Sequence, residues 1–262
     1  MNRRSPFIAL VIVIALTTAA GSIATASPAP KKNKKKQNID ALAAQSYMRQ
    51  GYVFMQQQKF EEALERFRAA DGANPGNATV YNMMGLCYLS MEQPEKALEQ
   101  FDIALELIPG FTDARNNRGT TYLALGQYRM AEVDFVAVLS DSTYPHRWKV
   151  FYNLGITYLS RGHIGAAEEN FQKAITAPTP VFEAYLRLAE IAQAQGRTDS
   201  ALGLLEEARL KYPERLDGSL AYGRLLIDAG RPEEARPYLE DVIASDPGSA
   251  LADEARQLLD QT

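Results

Sequence analysis

Small and apolar residues recur along the chain with a period close to 34 residues. The period is marked by Gly51, Gly85, Gly119, Gly155, Ala189 and Gly223. An alanine follows each marker after twelve residues, and a large apolar residue follows four later, Phe in the first four periods and Leu in the last two. Positions three and four apart share one helical face, so each period predicts a pair of amphipathic helices.

Turn and stop signals divide these helices. Glycines at Gly126, Gly162, Gly196 and Gly230 are typical of the C-cap of a first helix. Prolines at Pro75, Pro109, Pro213 and Pro247 end the second helix, because proline cannot continue it. Six helix-turn-helix units are therefore predicted, and a final helix over 250–262 would cover the last apolar face. The predicted units are 44–77, 78–111, 112–147, 148–181, 182–215 and 216–249.

This period and pattern are those of the tetratricopeptide repeat, or TPR. Single repeats of this length cannot bury a core alone, whereas stacked repeats share a continuous one. The sequence thus predicts an all-α fold, a right-handed TPR superhelix of about six repeats with a C-terminal capping helix.

The N-terminus carries the features of an export segment. Arg3 and Arg4 precede an apolar stretch that starts at Phe7, and Ala24-Thr25-Ala26 fits a signal-peptidase site. Residues 1–26 are therefore predicted to be a signal peptide, with an uncleaved membrane anchor as the alternative. The expected location is the periplasm, with or without membrane association.

Residues 27–43 are predicted to be a Pro/Lys-rich linker. Within it Ser27–Asn38 holds five lysines and almost no apolar residue, so it cannot bury enough surface to order itself. The Lys31–Lys36 run is either a solvated linker or a cationic strip against anionic lipid.

Charge and composition exclude several functions. All 32 acidic residues lie from Asp40 onward, whereas seven of the 28 basic residues precede it, so the repeats carry a net charge of −11. This acidity argues against nucleic acid as a partner. Cys87 is the one cysteine, and there are two histidines, His146 and His163. No metal site, no cofactor and no catalytic motif is predicted, and the chain is not expected to be an enzyme.

A protein-binding groove is predicted along the first helix of each repeat. Asn82 and Asn116 occupy the same place in successive repeats, and asparagine can hydrogen-bond an extended peptide backbone. The groove is expected to be apolar and neutral, because regular Lys and Arg positions are missing. The candidate groove residues are Tyr52, Asn82, Leu86, Asn116, Thr120, Tyr152, Asn153 and Ile156.

The third repeat is two residues longer than its neighbours, and its Asp141-Ser142-Thr143-Tyr144-Pro145 stretch leads into Asn153-Leu154-Gly155. Together with Asn116-Asn117-Arg118-Gly119, this resembles the type IV pilus biogenesis TPR proteins, the pilotin family that includes PilF and PilW. The resemblance implies a scaffold that promotes assembly or stability of the outer-membrane secretin, and an outer-membrane location. Members typically carry a lipid on a cysteine after the signal, but Ser27 stands there in this sequence. A generic periplasmic or membrane-tethered TPR adaptor for another envelope complex remains the alternative.

Overall fold

A computed structural model describes residues 34–260, with side chains from Lys36 onward. Within that range all regular structure is helical, which confirms the predicted all-α repeat architecture. The chain forms two compact units, the first ending at Tyr144 and the second beginning at Pro145. The helices are α1 (Lys34–Gln56), α2 (Phe60–Ala73), α3 (Ala78–Ser90), α4 (Pro94–Leu107), α5 (Thr112–Ala124), α6 (Tyr128–Leu139), α7 (Arg147–Ser160), α8 (Ile164–Ile175), α9 (Phe182–Ala194), α10 (Thr198–Lys211), α11 (Leu216–Asp228), α12 (Pro232–Ser245) and α13 (Ala250–Leu259).

Consecutive helices pack in pairs, and the small marker residue of the first helix receives the large apolar residue of the second. Phe67, Phe101, Phe135 and Phe171 are completely buried. A Cβ added to Gly51 or Gly155 would lie 2.6 Å from the facing phenylalanine ring. At Gly51 and Gly155 glycine is therefore a packing requirement, since a Cβ would collide with the facing phenylalanine ring.

The last helix closes the second unit. Ser249 accepts a hydrogen bond from the Ala252 amide at 3.1 Å, which caps the start of α13. Ala252 and Ala255 are completely buried, and Ala255 joins the cluster that contains Leu226 and Leu239. This helix covers apolar side chains of α11 and α12, as expected of a capping helix.

The first helix begins earlier than the linker prediction allows. Helix α1 starts at Lys34, so residues 34–43 are helical, although only Ala44 begins the buried part. The packed segment from Ala44 to Met55 supplies the helix nucleus, and extending an existing helix backward is cheap. Lack of a buried face was therefore the wrong criterion for this stretch. The predicted signal, residues 1–26, and the rest of the linker, 27–33, lie outside the described residues.

The insertion that lengthens the third repeat folds back onto α5. Asp141 accepts hydrogen bonds from the Thr143 amide at 2.9 Å and from the Thr112 hydroxyl at 3.1 Å. Tyr144 is 7% exposed, and burial together with a hydrogen bond to Asp113 raises the pKa of its hydroxyl. Two side chains of the insertion thus hold the first turn of α5, which explains why the longer loop is ordered.

We expect Tyr144→Phe to lower the free energy of unfolding by about 1–2 kcal/mol, because it removes a hydrogen bond to a carboxylate but keeps the ring. Urea denaturation followed by circular dichroism measures the change. Tyr47→Phe, a partly buried tyrosine of the same unit, is the matched control and is expected to change stability by under about 0.5 kcal/mol. Equal effects of the two substitutions would show that the Tyr144 hydroxyl contributes nothing.

Candidate functional site

The candidate groove residues of the first unit lie on α1, α3 and α5, but they are not equally accessible. Tyr52 is partly buried, with its ring 5.7 Å from that of Phe67 and edge-on to it, and burial raises the pKa of its hydroxyl. Leu86 is only 9% exposed and joins the cluster that contains Met55 and Met84. Leu86 is therefore part of the core and offers little surface to a partner.

The prediction that Asn82 lines the groove is wrong, because its side chain does not face outward. Asn82 is 2% exposed, and its side-chain oxygen accepts a hydrogen bond of 2.9 Å from the Asn117 amide group. A buried amide needs such a partner, because an unpaired one would cost about 1–3 kcal/mol. Asn82 thus joins α3 to α5 inside the first unit.

Asn116 and Thr120 are the better groove candidates of the first unit. Both are partly exposed, and the Thr120 hydroxyl donates to the Asn116 carbonyl at 3.0 Å. The side-chain oxygen of Asn116 forms no hydrogen bond with the protein. That oxygen is itself buried, so a ligand on the surface of α5 does not reach it in this structure. The partial exposure of Asn116 and Thr120 on one face of α5 is what makes them candidates.

In the second unit the candidates Tyr152, Asn153 and Ile156 are all partly buried on α7. The Tyr152 ring lies 5.7 Å from Phe171, and Ile156 packs on the same cluster. Burial raises the pKa of Tyr152, while its hydrogen bond with Arg187 of α9 opposes that rise. The Asn153 carbonyl accepts from the Thr157 hydroxyl at 2.8 Å, a contact within the helix.

The first helices of the second unit carry charges that the sequence analysis missed. Arg187 donates to Glu190 at 2.7 Å and also bonds Tyr152. Arg215 binds Asp217 through two nitrogens, reaches Glu183 at 3.0 Å and stacks 4.0 Å from the Phe182 ring centre. The expectation of a neutral groove is therefore wrong for this unit, where charges alternate along α9 and α11.

Several of these contacts join residues 35 positions apart. Asn82 pairs with Asn117, Tyr152 with Arg187, and Gln193 with Asp228 at 3.1 Å. Neighbouring first helices are therefore offset by one residue from the sequence period. Residues 34 apart hold equivalent positions on successive first helices, whereas the side chains that contact each other in these pairs are 35 apart.

A charged cluster anchors the middle of the first unit. Arg118 of α5 binds Asp134 of α6 through two nitrogens at 2.8 and 2.7 Å, and Asp102 of α4 at 2.7 Å. Asp134 is 1% exposed, and Arg115 lies 3.6 Å from it. The hydrogen bond with Asp134 raises the pKa of Arg118 in spite of burial, which opposes that rise. One guanidinium thus fixes three helices.

Other candidate chemistry gives no reactive centre in the described part of the chain. Cys87 is completely buried, and burial raises the pKa of its thiol to about 12. Between residues 34 and 260 no cluster of His, Cys, Asp and Glu side chains is arranged to hold a metal ion. Over the same residues, each helix is too short or too polar to cross a lipid bilayer.

Solved structures with similar folds share this arrangement of helical pairs. Pseudomonas aeruginosa PilF matches at 21% identity with a TM-score of 0.70, over 83% of this chain and 98% of PilF. PilW, described as a widely conserved type IV pilus biogenesis factor, matches at 22% identity and 0.70, over 80% of this chain and 96% of its own. YrrB, a TPR protein with an unusual peptide-binding site, matches at 24% identity and 0.54, over 73% and 97%.

Family models identify the repeat itself. One model of the tetratricopeptide repeat matches residues 54–115 and 192–259, and a second matches 152–208, so together they span well over half of the chain. No curated protein matches this chain. The matched segments include the markers Gly85, Gly155 and Gly223 and the residues that face them, Phe101, Phe171 and Leu239. The chain therefore belongs to the tetratricopeptide repeat family.

Proposed function

We propose that this chain is an exported protein-interaction scaffold that assists type IV pilus biogenesis by promoting assembly or stability of the secretin. The observation that carries the proposal is the extent of the match to PilF and PilW. Each of those chains is covered almost end to end, at a TM-score of 0.70, by 80% or more of this one. The Asp141–Tyr144 insertion, which holds α5 in place, adds a feature outside the general repeat pattern.

In this proposal the first helices of the repeats supply the binding surface, called the inner face below. In the first unit Asn116 and Thr120 are partly exposed on one face of α5. In the second unit Arg187, Glu183 and Arg215 offer charges of both signs. A segment of the secretin that carries a few charged side chains fits the residues of the second unit.

An adaptor for another envelope complex is the second candidate. Cys87 is the one cysteine of the sequence and is buried in α3. The lipid anchor of the resembled family therefore lacks an acceptor after the predicted signal. In this alternative, the N-terminal segment or the Lys31–Lys36 run would hold the scaffold at a membrane.

The secretin itself provides the test of the two candidates. We expect cells that lack this protein to lose the detergent-resistant secretin multimer while the monomer persists, as seen by immunoblot. Complementation with Asn116→Ala is expected to restore clearly less multimer than wild type, because a partly exposed polar side chain of the candidate face is lost. Ser200→Ala, an exposed position on α10, is the control and is expected to restore it fully. An unchanged multimer in the deletion strain would contradict the pilus role and favour the adaptor.

A further inference from the structure

Helix α6 carries an apolar stripe on its outer face that no other repeat shares. Met130, Val133 and Val136 are 48%, 62% and 48% exposed. At 100° per residue they fall within one 120° sector, opposite the buried Ala131 and Phe135. A stripe of this width on a surface helix normally faces a partner.

The repeat itself supplies the internal comparison. The residues equivalent to Val133 in other repeats are polar or small, and so are those equivalent to Met130 and Val136. For Val133 they are Glu65, Glu99, Glu169, Gly203 and Pro237; for Met130 they are Glu62, Lys96, Ala166, Ser200 and Glu234; for Val136 they are Arg68, Asp102, Gln172, Glu206 and Glu240. The stripe is therefore a departure confined to this repeat, at positions where packing of the repeat places no demand for an apolar side chain.

An acidic row lies beside the stripe. Glu95, Glu99, Asp102 and Glu106 of α4 are spaced by four, three and four residues and share one helical face. The three glutamates are exposed, and no described residue forms a salt bridge with them. Arg118 contacts both Asp102 and Asp134, so the acidic row and the α6 helix meet at one guanidinium.

One charged residue lies within the stripe. Arg129 is exposed and falls between Val136 and Val133 on the helical wheel, and Glu132 borders the sector beyond Val136. Asp134, which shares Arg118 with Asp102 of α4, lies on the Met130 side of the stripe. A partner seated on the stripe would therefore meet the carboxylates of α4 along its Met130 side, and these define the charge of that flank of the partner.

We propose that the α6 stripe and the α4 acidic row form a docking surface for an amphipathic helix of a partner protein, with apolar residues on its inner face and Lys or Arg along one flank. The apolar side chains supply contact area, and the acidic row selects a basic flank. The surface is separate from the inner face invoked for the proposed function, because it uses the second helices of repeats two and three.

Two peptides test the charge requirement. The probe is a capped helical peptide of about 18 residues, roughly five turns, with a leucine stripe and lysines along one flank. The control peptide has the same leucine stripe, but glutamate replaces each lysine. Fluorescence anisotropy with the purified full chain is expected to show at least about tenfold tighter binding of the lysine peptide, with affinity falling as salt rises.

Two matched substitutions test the location. Val133→Glu, which restores the residue found at Glu65, Glu99 and Glu169, is expected to weaken binding of the lysine peptide by about tenfold or more. Val53→Glu makes the same change at another exposed valine, on α1, and is expected to leave binding unchanged. Methyl NMR of 13C-labelled methionine is expected to shift the Met130 signal, identified with Met130→Leu, and not that of Met48 or Met83.

Five results would overturn the proposal. Absence of binding by the wild-type chain, or equal binding of the two peptides, would remove the basic-helix partner. Unchanged binding by Val133→Glu, or shifts confined to Met48 and Met83, would show that the peptide binds away from the α6 stripe. Sedimentation that shows a dimer dissolved by Val133→Glu would identify the occupant as a second copy of the chain. None of these results bears on the secretin multimer, so the two proposals fail independently.

Discussion

Replacing Arg118 with Met is expected to lower the free energy of unfolding by about 3–5 kcal/mol, because the substitution leaves a buried carboxylate without its main partner. Asp134 is 1% exposed and receives two short hydrogen bonds from Arg118. After the substitution only Arg115 remains near it, at 3.6 Å in the native arrangement. Urea denaturation followed by circular dichroism measures the loss.

An exposed ion pair supplies the control for this prediction. Arg197 binds Glu168 at 2.6 Å, but these side chains are 43% and 34% exposed, against 20% and 2% for Arg118 and Asp134. Arg197→Met is therefore expected to cost no more than about 1 kcal/mol. A second variant, Arg118→Met combined with Asp134→Leu, is expected to recover most of the stability, since it removes the buried charge itself. If Arg118→Met and Arg197→Met behave alike, the cluster does not stabilise the unit.

The repeat period predicts the packing of each helical pair well, because one spacing rule governs it. Gly155 and Phe171 lie sixteen residues apart in one repeat, and the same spacing recurs at Gly51 and Phe67. A position that must leave room for a facing ring is occupied by glycine, and this glycine can be recognised in the sequence. Helix positions and the buried stripe therefore follow from the pattern alone.

The inner face is less predictable, because it depends on how neighbouring repeats are offset. Aligning repeats at the 34-residue period places Asn82 beside Asn116, whereas its actual partner is Asn117. Asn82 is buried at this offset, whereas Asn116, its equivalent 34 residues later, is partly exposed. A search for polar pairs 35 residues apart would have found this contact, together with that between Tyr152 and Arg187.

Charge clusters that cross several helices are also hidden in a linear reading. Arg118, Asp134 and Asp102 each look like an ordinary surface residue of an amphipathic helix, since single charged residues also occur among apolar ones there. Their convergence follows from the geometry of three helices, α4, α5 and α6. A signal was present in Asp134, which stands between Val133 and the buried Phe135 in the apolar second half of α6.

The Phe171 ring packs directly against Gly155 between α7 and α8. Phe171→Ala is expected to lower the free energy of unfolding by about 3–5 kcal/mol, because a completely buried ring leaves a cavity between α7 and α8. Phe171→Leu is expected to cost far less, about 1 kcal/mol, since Leu205 and Leu239 fill the same place in the last two repeats. Urea denaturation of the variants measures both values.

Coupling between the two positions tests the packing argument itself. A Cβ at residue 155 would lie 2.6 Å from the Phe171 ring, so Gly155→Ala is expected to destabilise by about 1–3 kcal/mol. The same change at Gly165, where nothing lies within 4 Å, is expected to stabilise α8 by up to about 1 kcal/mol. Gly155→Ala with Phe171→Leu recreates the Ala189 and Leu205 pair of the fifth repeat. The double variant is therefore expected to lose less stability than the sum of the single ones, and strict additivity would show that the ring does not set the size of residue 155.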